Sequence, residues 1–223
     1  MKKFIVCALL VISVSFVAAA DEIEVVSGAS TATSSGSGTI TYTNGAFNGW
    51  DINIAAGVSN SPGLSPYGLD LTVVASCASG NCLTAPLDVF LTDTGFTTPV
   101  PAGGFQTTYS ATDTGGGSTR AVTWADSTNT LFGGGLPTGI GADHLGTVGP
   151  FSGSGGFGTA SGGPAESGTY SLTIEEILTA GASGTSSFST DGNITATPEP
   201  SSLLLLLSGL VGLGFMKRKV FQN

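Results

Sequence analysis

Cys77 and Cys82, in the hexapeptide CASGNC, are the most reactive side chains the chain keeps once its apolar N-terminal run, which holds Cys7, is set aside. Two thiols so close can form a disulfide or contribute to a metal site. A metal would need further ligands, and the chain has a single histidine, His144. Outside the cytoplasm the disulfide is the expected outcome, and closing so small a loop stabilises by about 2 kcal/mol in the chain-entropy picture. No metal site is assigned.

The other chemically suggestive patterns are weaker. Asp143-His144 could orient an imidazole by a carboxylate, but neighbours on a strand point to opposite faces, and no serine sits in a G-x-S-x-G elbow. His144 is therefore expected to be a surface residue. The run GSGGFG, Gly153 to Gly158, matches G-x-G-x-x-G formally, yet it lies in a glycine-rich tract and opens no helix, so it is read as loop. Asp51, Asp70 and Asp88 each sit between apolar neighbours and should face away from a core, where they would line up to hold calcium only if their strands were adjacent. Keeping a sheet soluble is the plainer role. Trp50 and Trp124 could stack on sugars, but each alternates with Ile or Val on one face, which predicts core packing. A pair of carboxylates for glycoside hydrolysis could exist among fifteen acidic residues, though no spacing singles one out. Asn193-Ile194-Thr195 has the form of a glycosylation sequon. These patterns name no catalytic residue and no cofactor, and a non-enzymatic protein is the expectation.

Strands must position these residues. Gly, Ser and Thr abound, and apolar residues alternate with polar ones over short runs. TITYT (Thr39 to Thr43) and WDINI (Trp50 to Ile54) predict a hairpin, turned at Asn44-Gly45 or Asn48-Gly49. GLDLTVVAS and LTAPLDVFLT predict a second hairpin clamped by the cysteines near Ser79-Gly80-Asn81, its second arm an edge or starting after Pro86. FQTTYSAT and TRAVTWAD, joined by DTGGGS, predict a third, with Val122 and Trp124 on one face. In GTYSLTIEEIL the alternation of Tyr170, Leu172 and Ile174 breaks at Glu175-Glu176, the mark of a bulge or a strand end. A last strand falls within Ser186 to Thr195, and the glycine-rich stretch from Phe132 to Pro164 reads as a surface excursion. Roughly ten strands so spaced predict an all-β antiparallel β-sandwich or jelly-roll, of undetermined strand order, over residues 21–196.

The two ends differ from this middle. Lys2-Lys3, the apolar run Phe4 to Val17 and Ala18-Ala19-Ala20 form the three regions of a secretory signal peptide over residues 1–20, with the cut expected between Ala20 and Asp21. Residues 197–223 hold Pro198-Glu199-Pro200, an apolar run from Ser201 to Met216, and the basic cluster Lys217, Arg218 and Lys219. As a helix that run reaches about 24 Å, against a hydrocarbon core of about 30 Å, so it makes one short transmembrane helix that suits a thin bilayer. The basic cluster belongs on the cytoplasmic side, which leaves Asp21 to Pro200 outside. Between those two residues lie all fifteen acidic side chains and only one basic one, Arg120. So acidic a domain would repel nucleic acid and anionic lipid.

Pro-Glu-Pro, a short Leu/Gly-rich helix and a basic end, in that order, resemble the PEP-CTERM sorting signal of bacterial surface proteins. The resemblance implies that a membrane-embedded exosortase recognises Pro198, Glu199 and Pro200 and processes the chain, which stays anchored in the bacterial membrane at least transiently. It also implies a final place on the cell surface or in an exopolysaccharide matrix. PLDVFLTDTGFTTP and GTYSLTIEEIL are loosely similar to stretches of other such proteins. Apart from a plain surface protein, a carbohydrate-binding module of the exopolysaccharide matrix and, behind it, a glycoside hydrolase with an acidic pair are the alternatives. A plain single-pass anchor that is never cleaved is the alternative for the C-terminal segment.

Overall fold

In a computed structural model, the structure describes residues 21–59, 68–78, 82, 85–97, 99–134, 143–182 and 185–196. The expected signal peptide, the Ser79-Gly80-Asn81 turn, the Pro-Glu-Pro motif, the short helix and the basic tail all lie outside them.

Twelve strands occur among the described residues: β1 (Asp21–Ser27), β2 (Ser30–Gly36), β3 (Thr39–Phe47), β4 (Trp50–Ser59), β5 (Gly68–Cys77), β6 (Leu87–Phe96), β7 (Phe105–Thr114), β8 (Ser118–Asp126), β9 (Asp143–Phe151), β10 (Gly156–Gly162), β11 (Tyr170–Thr179) and β12 (Ser186–Ala196). They form two antiparallel six-stranded sheets. The first has the order β2-β1-β6-β11-β8-β9 and the second β10-β7-β12-β5-β4-β3. The all-β sandwich expected from the alternation is therefore what the chain builds.

Strand β12 shows why the pattern folds this way. Ser186, Phe188, Thr190, Gly192, Ile194 and Ala196 point inward, while Ser187, Ser189 and Asp191 are exposed. The same period of two places Ile23 and Val25, Leu87, Val89 and Leu91, and Leu172 and Ile174 against Ile52, Leu69, Leu71, Val73 and Phe188 in one core. Trp50 lies fully buried there, its ring 5.7 Å from that of Phe188. A smaller cluster of Tyr109, Ala111, Ala121 and Val148 sits apart from it.

The β3–β4 hairpin turns at Asn48-Gly49, not at Asn44-Gly45. Asn48 and Gly49 both have positive φ, 49° and 88°, as a two-residue primed turn requires, and Phe47 pairs with Trp50 across it. Asn44 instead lies inside β3 at an irregularity, its Oδ1 accepting a bond from the Ala46 amide at 3.0 Å.

The other two expected hairpins do not form. β5 and β6 belong to different sheets, and so do β7 and β8. The Cys77–Cys82 disulfide exists, but it closes the point where the chain leaves the second sheet for the first. Alternation records which side chains face inward; it does not record whether the next strand pairs or crosses over. β6 does begin directly after Pro86, at Leu87. The stretch read as a surface excursion contains β9 and β10.

Replacing both cysteines by serine should lower unfolding stability by about 2 kcal/mol. Denaturant titration of the oxidised protein and the double variant checks this, and equal midpoints would show that the crossover needs no covalent closure.

Candidate functional site

Sequence-selected residues do not converge on one place. Asp51 is exposed on β4, where it pairs with Ser76, whereas Asp70 pairs with Val58 at the other end of the same two strands. Asp88 lies on β6 in the opposite sheet. The three carboxylates thus face outward as expected but do not line up. Among the described residues, no three His, Cys, Asp or Glu side chains gather as a metal site.

Trp124 departs from expectation. It shares a face with Val122, but that face is the outer one: Ala121, Thr123 and Ala125 take the core side of β8. Its half-buried ring stands 6.4 Å from that of His144, on the neighbouring β9. His144 and Asp143 are both exposed, and His144 Nε2 bonds to Thr147 Oγ1 at 3.0 Å. Gly153 to Gly158 runs from the β9–β10 turn into β10 and meets no helix. Asn193 is half-buried, its Nδ2 donating to Asp70 Oδ2 at 3.4 Å.

The acidic residues that matter most are ones alternation hid. Glu175-Glu176 makes no break in β11; the strand runs through it, and its pairing irregularity with β6 lies between Tyr170 and Leu172. Glu176 keeps the inward phase of Leu172 and Ile174 and is completely buried. Thr190 Oγ1 donates to its Oε2, whereas Oε1 has no hydrogen-bond partner. Gly192 makes room for it, because a Cβ there would lie 2.7 Å from Ile174 Cδ1 and 2.8 Å from Glu176 Oε1. Burial drives the Glu176 carboxyl well above the ordinary range, against the opposing bond from Thr190, with the charges of Asp191 and Asp70 adding to the rise. The buried phenol of Tyr109 is likewise raised, by burial and then by the charge of Glu176.

On the outer face of the first sheet, Glu175 is pushed up to about 8 by burial and then by the charge of Asp88, with Arg120 opposing. Asp88 is raised to about 6, again by burial against Arg120. This is a carboxylate pair on adjacent strands, in register with the neighbours Phe90 and Ile177. A nearby cavity of about 330 Å³ is lined by Arg120 and Ile177 but by neither carboxylate. Asp126 behaves oppositely: burial acts to raise it, but bonds from the Thr128 and Thr130 hydroxyls and amides hold it below the usual value.

The outer face of the second sheet carries a groove of about 440 Å³ floored by Thr72, Ser110, Thr112, Ser189 and Asp191. Phe157 stands beside it, on edge strand β10 and paired with Ser110. At 70% exposure it is the most exposed large apolar residue among the described residues. Thr72 Oγ1 donates to Asp191 Oδ1 at 3.1 Å, so the groove presents hydroxyls, one carboxylate and one free aromatic face. Phe157 is hidden in the sequence because it sits among glycines with no apolar partner at strand spacing.

Fold and ends together define a β-sandwich protein whose last strand runs straight into a C-terminal sorting segment. That segment, residues 196–219, matches the PEP-CTERM protein-sorting motif, as Pro198-Glu199-Pro200 and the basic cluster led one to expect. No curated protein matches the chain. Among solved structures, it is similar to TmCBM61 in complex with beta-1,4-galactotriose, at 11% identity over 71% of this chain and 88% of that one, TM-score 0.31. It is also similar to the K1 cleaved adhesin domain of Lys-gingipain from Porphyromonas gingivalis W83, at 16% identity over 72% and 91%, TM-score 0.33. A third is the family 11 carbohydrate-binding module from Clostridium thermocellum in complex with a beta-1,3-1,4-mixed-linked tetrasaccharide, at 11% identity over 80% and 96%, TM-score 0.27. None of the three assigns a site to this chain.

Glu175 and Glu176 set a pH dependence. Both carboxyls titrate higher in the folded state than in the unfolded chain, so above the ordinary carboxylate range the unfolded state releases its protons first. Their contribution to stability is intact below about pH 4.5 and is lost as pH rises through the folded value, about 8 for Glu175. The melting temperature should therefore fall between pH 5 and pH 8.5, and Glu176→Gln, which keeps a neutral side chain of the same shape, should flatten that fall. A profile that the substitution leaves unchanged would show that Glu176 is ionised in the fold.

Proposed function

We propose that this chain is an exported, non-enzymatic surface or extracellular-matrix protein, sorted and processed by an exosortase-like membrane enzyme through Pro198, Glu199 and Pro200. The match of residues 196–219 to the sorting motif carries this reading. Its physical basis is a division of labour along the chain. Residues 1–20 serve as the export signal, cut after Ala20, and residues 21–196 form the exported domain. Residues 197–223 hold it at the membrane transiently, with Lys217, Arg218 and Lys219 on the cytoplasmic side.

The two prolines fix their own φ and bias the preceding residues to extended backbone, which presents Glu199 as a strand-like substrate. β12 ends at Ala196, so the motif follows the folded domain with no long spacer and the processing enzyme meets the chain next to the sheet. Replacing Pro198, Glu199 and Pro200 with alanine should leave the protein membrane-bound with its tail intact. Intact-mass measurement from the native cell checks this. The wild-type chain should lack residues 1–20 and Lys217 to Asn223, and a wild type retaining that tail would reduce the segment to a plain anchor.

The groove beside Phe157 favours a second reading, a carbohydrate-binding module. A neutral sugar presents a C–H face to an aromatic ring and hydroxyls to Ser, Thr and Asp side chains, the two features this groove combines. With Trp50 buried, Phe157 takes the place of the tryptophan platform. On this reading Phe157→Ala weakens binding of a neutral matrix polysaccharide roughly tenfold, equivalent to about 1.4 kcal/mol. Affinity electrophoresis in polysaccharide gels measures it, and undiminished retardation of the variant would discard the groove.

A further inference from the structure

At one end of the core, two carboxyl groups meet with no cationic side chain facing them among the described residues. Asp21, the first residue of β1, is 2% exposed, and Asp93, on β6, is fully buried. Asp21 Oδ2 accepts the Gly38 amide at 2.6 Å, from the turn between β2 and β3. Asp93 Oδ1 accepts the Thr94 amide at 2.6 Å, and its Oδ2 accepts the Ser59 hydroxyl from the end of β4. Asp21 and Asp93 follow directly on the Glu22–Thr92 pair of β1 and β6, so the two carboxyls stand side by side, and the Asp21 charge acts to raise Asp93. Among the described residues, no Lys, Arg or His side chain contributes to the balance at either acid. Four elements from both sheets thus close around an acidic pair that accepts the amides of Gly38 and Thr94 and the hydroxyl of Ser59.

Asp21 is also the residue on the far side of the expected export cut. We propose that hydrolysis of the Ala20–Asp21 bond by a signal-peptidase-class enzyme completes this site, the new α-ammonium of Asp21 being the cation that the Asp21–Asp93 pair is built to receive. The inference rests on the export reading for the position of the cut. Water adds across the amide: Ala20 leaves with a carboxylate, and Asp21 keeps an amine that takes up a proton. Covalent geometry alone puts that ammonium within about 4 Å of the Asp21 carboxyl carbon. Before the cut the same nitrogen is an uncharged amide, and the pair must share a proton to stay buried.

The consequence is a change in how the fold responds to pH. While Asp21 is peptide-linked, burial, outweighing the Ser59 bond, and then the neighbouring Asp21 charge hold Asp93 up at about 7. Stability is then lost as pH rises from the ordinary aspartate range to about 7, because the unfolded chain sheds that proton earlier. With the ammonium present both carboxylates ionise against a partner, and that loss disappears. The amine, raised in turn, keeps its contribution until pH exceeds its own folded value.

The test uses residues 21–223 in detergent, released from a fusion by a protease that leaves Asp21 first, and the same chain acetylated on the Asp21 amine. The free-amine chain should melt several degrees higher at pH 7.5, the gap should shrink at pH 4.5, and NMR of ¹⁵N-labelled aspartate should show the amine titrating above the ordinary α-amino range of about 7.7–8.0. Asp93→Asn, which keeps an acceptor for Thr94 and Ser59, should remove most of the gap and return the amine to that range. Equal melting of the two chains at pH 7.5, or a gap indifferent to Asp93→Asn, would overturn the site. A different first residue on the protein recovered from exporting cells would instead overturn the maturation step and the export cut with it.

Discussion

The constraint under the whole structure is that carboxylates must be packed into a sandwich with almost no cations available. Of the six Lys and Arg residues, only Arg120 lies between Asp21 and Pro200, where every acidic residue lies. An isolated buried charge is too costly to keep, so each inward acid needs another remedy. Glu176 is pushed toward its neutral form by burial and takes a hydroxyl from Thr190. Asp126 stays ionised by gathering the amides and hydroxyls of Thr128 and Thr130. The abundance of threonine and serine thereby acquires a structural meaning: these hydroxyls are the chain's substitute for lysine and arginine.

That substitution also explains what the sequence disclosed and what it concealed. Inward and outward faces were legible because the sandwich enforces a period of two, as in β12, where five polar residues alternate with a buried series. The same logic failed at Glu176, because a charged letter at an inward position reads as a break in phase. The strand continues because burial favours the neutral carboxyl there and Gly192 opposite leaves it room. Trp124 failed the other way, since sharing a face with Val122 does not say which face it is.

Strand pairing was the least visible level. Local turn chemistry found Asn48-Gly49 because both residues adopt positive φ there, and that demand is written in the two residues themselves. The connections from β5 to β6 and from β7 to β8 announce no pairing: Gly115 and Gly116 after β7 also take positive φ, yet β7 and β8 lie in different sheets. Both connections join strands that bury matching faces in opposite sheets, and a crossover and a hairpin make the same alternating text. The groove at Phe157 depends on those crossovers. It needs β10 beside β7 and β7 beside β12, an adjacency made by strands far apart in the chain.

The same topology bears on how a tethered domain withstands its tether. β12 is not an edge strand: it lies between β7 and β5, bonded along its length to both. Any pull transmitted from the sorting segment reaches Ala196 and must act against two full ladders at once, so the strand that leads into the proposed membrane segment is held from both sides. At the opposite end of the chain, β1 is flanked by β2 and β6, and its first residue enters the acidic pair at the end of the core. Both ends of the sandwich, where the proposed export and sorting segments join it, therefore fall on strands held from both sides. An edge strand at either junction could peel away with the segment that leaves; a strand with two neighbours keeps its place when the covalent connection beyond it is cut.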